Sequence, residues 1–185
     1  MRWLCLVLVL SACGTPPDPA ALRARLTPAQ IAQLRVPMIF VTAPRTGLAA
    51  TLIPVRQEGD LRVWQSRDGA QIITRDGQII GTRGLGFDMM SGEAPVAMSG
   101  TGAAHTRRMT TLSGDLETSL SQFSCRITPT GRAAHPPNGQ PVTIWVEDCG
   151  AFINTYHRGR HGTLWWSRQW VSPELGALEI EVIRP

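Results

Sequence analysis

Three stretches of this chain hold residue types that could do chemistry. The first is GTRGLGFDMMSGE, Gly81 to Glu93, where glycines 81, 84, 86 and 92 surround Arg83 and Asp88. A phosphate-binding loop sets its glycines between a strand and a helix N-terminus, as GxGxxG or GxxxxGK[ST]. Here the order is G-x-x-G-x-G, with no lysine and no metal-binding hydroxyl. We therefore read the stretch as structural: Gly84 and Gly86 permit a tight turn out of the preceding strand. Arg83 and Asp88 are expected to form an ion pair pinning it, and Leu85, Phe87, Met89 and Met90 to plug one end of the fold. The second stretch is His157-Arg158-Gly159-Arg160-His161. Histidines four apart can ligate zinc from a helix. The glycine between them and the flanking arginines point instead to an exposed basic turn, so no metal is assigned. The third is Leu164-Trp165-Trp166-Ser167-Arg168-Gln169-Trp170. In a strand, Trp166, Arg168 and Trp170 share one face, and Trp165, Ser167 and Gln169 the other. Indoles stack on sugar rings and arginine pairs with uronate or phosphate. The competing reading fills the core with the tryptophans and sends Arg168 to a carboxylate.

Hydrolase signatures are sparse. No G-x-S-x-G is present to make a nucleophile elbow. Glu147/Asp148 and Glu179/Glu181 are adjacent or alternating acids, read as solvated strand faces, whereas glycosidases need two carboxylates facing across a cleft. A cysteine nucleophile with a histidine partner is disfavoured by the cysteine pattern described below.

The elements that must position these residues are mostly strands. Thr27-Pro28-Ala29-Gln30 combines a capping box with proline at the first helical position and predicts one short helix ended by Pro37. MIFVTA, TLIPVR, LRVWQS, AQIIT and QIIGT follow as β-forming runs. Asp68-Gly69 and Asp76-Gly77 separate the last three, a strong hairpin signal that predicts a three-stranded meander. Residues Ser91 to His105 are small and polar; Gly131 to Pro141 reads as a loop. Later runs include VTIWVEDC, FINTY, TLWWSRQWV and LGALEIEVI, the last alternating Leu178, Ile180 and Val182 with Glu179 and Glu181. No helix-sized gaps separate the strands. The expected fold is all-β, an antiparallel barrel or curled sandwich of about ten strands.

The ends carry sorting information. Met1-Arg2 precedes the apolar run Trp3–Leu10, too short to span a bilayer of ~30 Å. Leu10-Ser11-Ala12-Cys13-Gly14 is similar to a bacterial lipobox, in which the cysteine receives a diacylglyceryl group. The expected organisation is a signal over 1–12, a tether over 13–26 and one β-rich domain over 27–185. Gly14 rather than aspartate after Cys13 resembles the sorting pattern for the outer membrane, facing the periplasm. Two or more acyl chains anchor stably. Cys125 and Cys149 remain as an even pair in an oxidising compartment and read as a disulfide. The formal charge of +4 comes with 18 arginines and no lysine. That diffuse excess suits anionic polymer or headgroups and argues against nucleic acid.

Together, the lipobox, the short helix, TRGLGFDMMSGE, the paired cysteines with EDC, Asn-x-Tyr and the terminal SRQWVSPELGALEIEVIRP resemble the YjbF/GfcB family of lipoproteins over about residues 13–185. The resemblance implies a barrel-like β domain linked to production or export of exopolysaccharide and group 4 capsule. Implied partners are an outer-membrane barrel protein and a periplasmic protein, with the polymer itself a further one. No catalytic residues and no cofactor come with it. Within it, Cys13 matches the lipidation site, Arg83, Gly84, Leu85, Gly86 and Asp88 the glycine loop, and Ser167–Trp170 the terminal block. One departure is the basic His157–His161 segment, where the family pattern has an aromatic and an acid after the tyrosine. The function expected is non-enzymatic assistance to polymer assembly or secretion. The alternative is a periplasmic polysaccharide-modifying enzyme, a lyase or glycosidase.

Overall fold

In the computed structural model, residues 18–93, 98, 102–135 and 139–185 are described. The signal and lipidation assignments at residues 1–13 lie outside them. Two six-residue helices lead in, α1 (Pro19–Ala24) and α2 (Pro28–Gln33). Helix α2 has the expected capping box: Thr27 Oγ1 accepts from the Gln30 amide, and the Gln30 side chain accepts from the Thr27 amide. Within the stretch expected as tether, Asp18 caps α1 and α1 packs on β2. Arg23 donates two 2.6 Å hydrogen bonds to Glu181.

Twelve strands follow: β1 (Met38–Ala43), β2 (Leu48–Glu58), β3 (Leu61–Ser66), β4 (Gln71–Arg75), β5 (Gln78–Arg83), β6 (Asp88–Gly92), β7 (Ala103–Leu112), β8 (Thr118–Ala134), β9 (Pro141–Asp148), β10 (Ile153–Gly159), β11 (Leu164–Ser172) and β12 (Gly176–Arg184). They form one antiparallel sheet in the order β5-β4-β3-β2-β1-β12-β11-β10-β9-β8-β7-β6. The fold is therefore all-β as expected, with a meander that runs through the entire domain. Two strands exceed the expected count of about ten. β6 lies where a plug was expected, and β8 extends to Ala134, into the expected loop. At Asp76-Gly77 both residues have positive φ, 46° and 75°, as a type I′ turn requires.

Because β1 pairs with β12, the first and last strands are zipped together. The sheet edges, β5 and β6, are neighbours in the chain and lie against one another, so the sheet is a nearly closed barrel with its seam at mid-chain. Antiparallel alternation sorts the turns into two ends. One end carries the turns at 59–60, 76–77 and 160–163; the other carries those at 44–47, 67–70, 84–87, 113–117 and 173–175. Inward side chains form two apolar clusters. The larger includes Ile39, Leu52, Trp64, Ile72, Met89, Met109 and Leu178; the smaller holds Met98, Ile127, Trp145, Tyr156 and Leu164.

Candidate functional site

The glycine stretch sits at the seam. A methyl group at Gly81 would lie 3.5 Å from the Met89 carbonyl oxygen, and one at Gly92 would lie 3.4 Å from the Ile80 Cα. Strands β5 and β6 thus approach closely because side chains are missing there. Gly84 and Gly86 have φ of +77° and +86°, so the connecting turn takes a path that other residues adopt only under strain. The expected Arg83–Asp88 ion pair is replaced by two separate anchors. Asp88 accepts from the Thr82 hydroxyl at 2.7 Å, the Gly84 amide at 2.8 Å and the Leu85 amide at 3.2 Å. Arg83 donates to the carbonyls of Thr82, Met89 and Met90. A buried carboxylate surrounded by N–H and O–H donors is already satisfied, so the guanidinium is free to tie down carbonyls instead. Of the four expected plug residues, Met89 is fully buried and Leu85 and Phe87 pack on the core. Met90 faces outward.

The terminal block closes the seam from the opposite wall. Gln169, on the inner face of β11, accepts from the Ile79 amide at 2.8 Å and donates to the Gly77 carbonyl at 3.1 Å and to Ser167 Oγ at 2.9 Å. Ser172 Oγ donates to the Phe87 carbonyl. The two stretches that stood out in the sequence are the two halves of one closure.

The strongest electrostatic feature was not foreseen. Glu147 has no exposed surface, yet lies among four polar side chains. Arg107 grips both of its oxygens at 2.9 Å, and His105 Nε2 lies 2.7 Å from Oε1. Asn154 Nδ2 and the Tyr156 hydroxyl donate to Oε2 at 2.7 and 2.8 Å. Burial alone would raise the Glu147 pKa. The Arg107 charge and the bonds from Arg107, Asn154 and His105 outweigh it and hold the carboxyl below its usual range. Burial pushes the Tyr156 phenol strongly upward, so it stays protonated. His105, Cys125 and Glu147 lie within ligating distance of one another, but Cys125 is bonded to Cys149. That leaves no thiolate for a metal, and Arg107 already neutralises the carboxylate. Glu147 had been read with Asp148 as a wet face; only Asp148 is exposed. Strand alternation could have found it, since Trp145, Glu147 and Cys149 share a face in WVEDC.

Trp166, Arg168 and Trp170 do not form a uniform platform. Trp170 stacks on Phe152, with centroids 4.6 Å apart and planes 7° apart, and packs against the core. Trp166 is half-buried, tilted against His157 at 4.8 Å. Arg168 is exposed and lies 3.7 Å from Glu179. The basic segment is only partly a turn: His157 and Arg158 belong to β10, and Arg158 donates to the Met98 and Gly162 carbonyls.

Beyond these, the end of the barrel bearing the 76–77 turn holds a cavity of about 370 Å³, with Arg62, Trp64, Thr74, Asp76, Arg158 and His161 in its lining. The opposite end has a smaller apolar cavity of about 170 Å³ between Val41, Leu52, Ile72 and Leu85.

A meandering antiparallel barrel with a sealed polar core and a mid-chain seam defines the class. The group 4 capsule polysaccharide lipoprotein family, GfcB/YjbF, matches residues 13–183, and the chain belongs to that family. The crystal structure of the hypothetical lipoprotein YmcC from Escherichia coli (K12) is similar, with a TM-score of 0.74 at 17% identity. The similarity covers 93% of this chain and 98% of that one. No curated protein matches.

Proposed function

We propose that the protein is a non-enzymatic lipoprotein, held through Cys13 on the periplasmic face of the outer membrane. There it assists exopolysaccharide or capsule assembly or secretion by binding a partner protein, the polymer, or both. The observation that carries this is the family match, which begins at Cys13 and runs through the whole barrel. The burial of the acid–base cluster supports the non-enzymatic part. Glu147 and Tyr156, an acid and a phenol of the types a lyase could use, are sealed from solvent. Expected partners are an outer-membrane barrel protein and a periplasmic protein of the same secretion route. The test is deletion of the gene, with secreted and cell-bound polysaccharide measured, followed by complementation with wild type and with Cys13→Ser. Polymer should fall on deletion and recover with wild type but poorly with the unlipidated variant. Unchanged polymer on deletion would sink the reading.

A further inference from the structure

The cavity at the 76–77 end holds a guanidinium whose role the barrel's own structure does not explain. On β3, Arg62 shares a face with the buried residues Trp64 and Ser66, and it pairs in register with buried Thr74 on β4. That parity aims it into the barrel rather than at solvent. Its guanidinium carbon lies 5.6 Å from the centre of the Trp64 ring. It has no hydrogen bond or ion pair with any described residue. The indole N–H of Trp64 is engaged by Thr74 Oγ1 at 2.9 Å, which fixes the ring under the arginine. The nearby Arg158 is spent on two carbonyls, and Asp60 lies 3.8 Å from Arg75. Among the described residues, Arg62 thus points into the cavity without an ion-paired or hydrogen-bonded anion.

We propose that this cavity binds an acidic sugar residue of the polymer, with the sugar carboxylate on the fork of Arg62. The proposal rests on the role in polymer handling argued above and names the site and ligand class for it. Three observations favour a uronate. The volume falls within the ~300–1,000 Å³ range of small-ligand sites. A planar guanidinium, held on an indole with its edge free, suits two parallel bonds to a carboxylate. The lining carries Arg62 and Arg158 against Asp60 and Asp76, which suits one negative charge better than the near-double charge of a phosphate monoester. The turns of Gly59, Gly77 and Gly162 form part of its rim.

The test uses the lipidated protein in detergent micelles and calorimetric titration with tetragalacturonate, maltotetraose and inorganic phosphate. The uronate oligomer should bind saturably, and the neutral oligomer and phosphate should not. Arg62→Gln should weaken uronate binding roughly tenfold or more, the loss of one charge-assisted contact. Arg62→Lys should weaken it less, while melting temperatures stay near wild type. No binding by the wild type, equal binding of maltotetraose or phosphate, or undiminished binding by Arg62→Gln would each overturn the site. Loss of binding on Trp166→Ala with retention in Arg62→Gln would move the ligand to the outer face of β11 and also overturn it. All these results leave the deletion phenotype untouched, so failure of the site is distinguishable from failure of the secretion role.

Discussion

At the scale of single residues, Glu147 shows how a charge can serve architecture. Taking a carboxylate and a guanidinium out of water costs several kcal/mol each, repaid only when both are fully bonded. Arg107 covers both oxygens, and Asn154, Tyr156 and His105 take remaining acceptor positions. These residues come from β7, β9 and β10, so one carboxylate ties β9 to its neighbour β10 and, across β8, to β7. Asn154 extends the set by accepting from the Trp170 amide on β11. Removing one partner leaves the other charge buried without compensation. Arg107→Met should therefore lower unfolding free energy by about 3–5 kcal/mol in chemical denaturation. The double variant Arg107→Met/Glu147→Met should recover much of that loss, because no lone charge remains. If Arg107→Met alone were neutral, the cluster would have to be hydrated and accessible, and the case against lyase chemistry would weaken.

At the scale of elements, the seam explains why two distant stretches look distinctive. The edges β5 and β6 lack a continuous ladder, so unpaired amides there need other acceptors. Gln169 meets that need at Ile79 while its amide nitrogen serves Gly77. Gln169→Leu would keep the volume but leave the buried Ile79 N–H unpaired and remove the donor from the exposed Gly77 turn. The expected cost is about 1–3 kcal/mol. Hydrogen exchange should quicken at Ile79 more than at amides of the β1–β12 pair; equal quickening at both would mean the seam is not a local unit. The strands themselves were legible, because period-2 alternation and the Asp76-Gly77 turn are local signals. The α1 helix was less so: a six-residue helix gains little from its own hydrogen bonds and is held by Arg23 on Glu181, which is 158 residues away. The same distance limit hid the Glu147 cluster, whose members sit in three separate runs. The Arg83–Asp88 pairing failed for a related reason. Charge and spacing suggested a partner, but backbone donors and carbonyls were closer.

At the scale of the whole molecule, stability has a pH dependence that can be signed. His135 is buried with both ring nitrogens unbonded, stacked on Trp165 at 5.9 Å. Its surroundings include Glu181, Arg23 and His157. Burial lowers its pKa, with Glu181 opposing and Arg23 adding to the shift. Burial, and then the nearby His135, lowers that of His157 as well. In the unfolded chain both would titrate near about pH 6.5. Below that value the unfolded state takes up protons that the folded state resists, so stability is lost as pH falls. Above it both rings are neutral in either state and contribute no penalty. The carboxylates do not blur this window, because Glu147 is held below its usual range and is lost only in stronger acid. Denaturant midpoints should therefore decline from about pH 7.5 to about pH 5.5, with a steeper decline reserved for carboxylate protonation. His135→Phe, which keeps the stack on Trp165 without a titrating ring, should shrink the first phase to the His157 contribution and leave the second. An unaltered first phase in that variant would place the proton-linked loss on other groups.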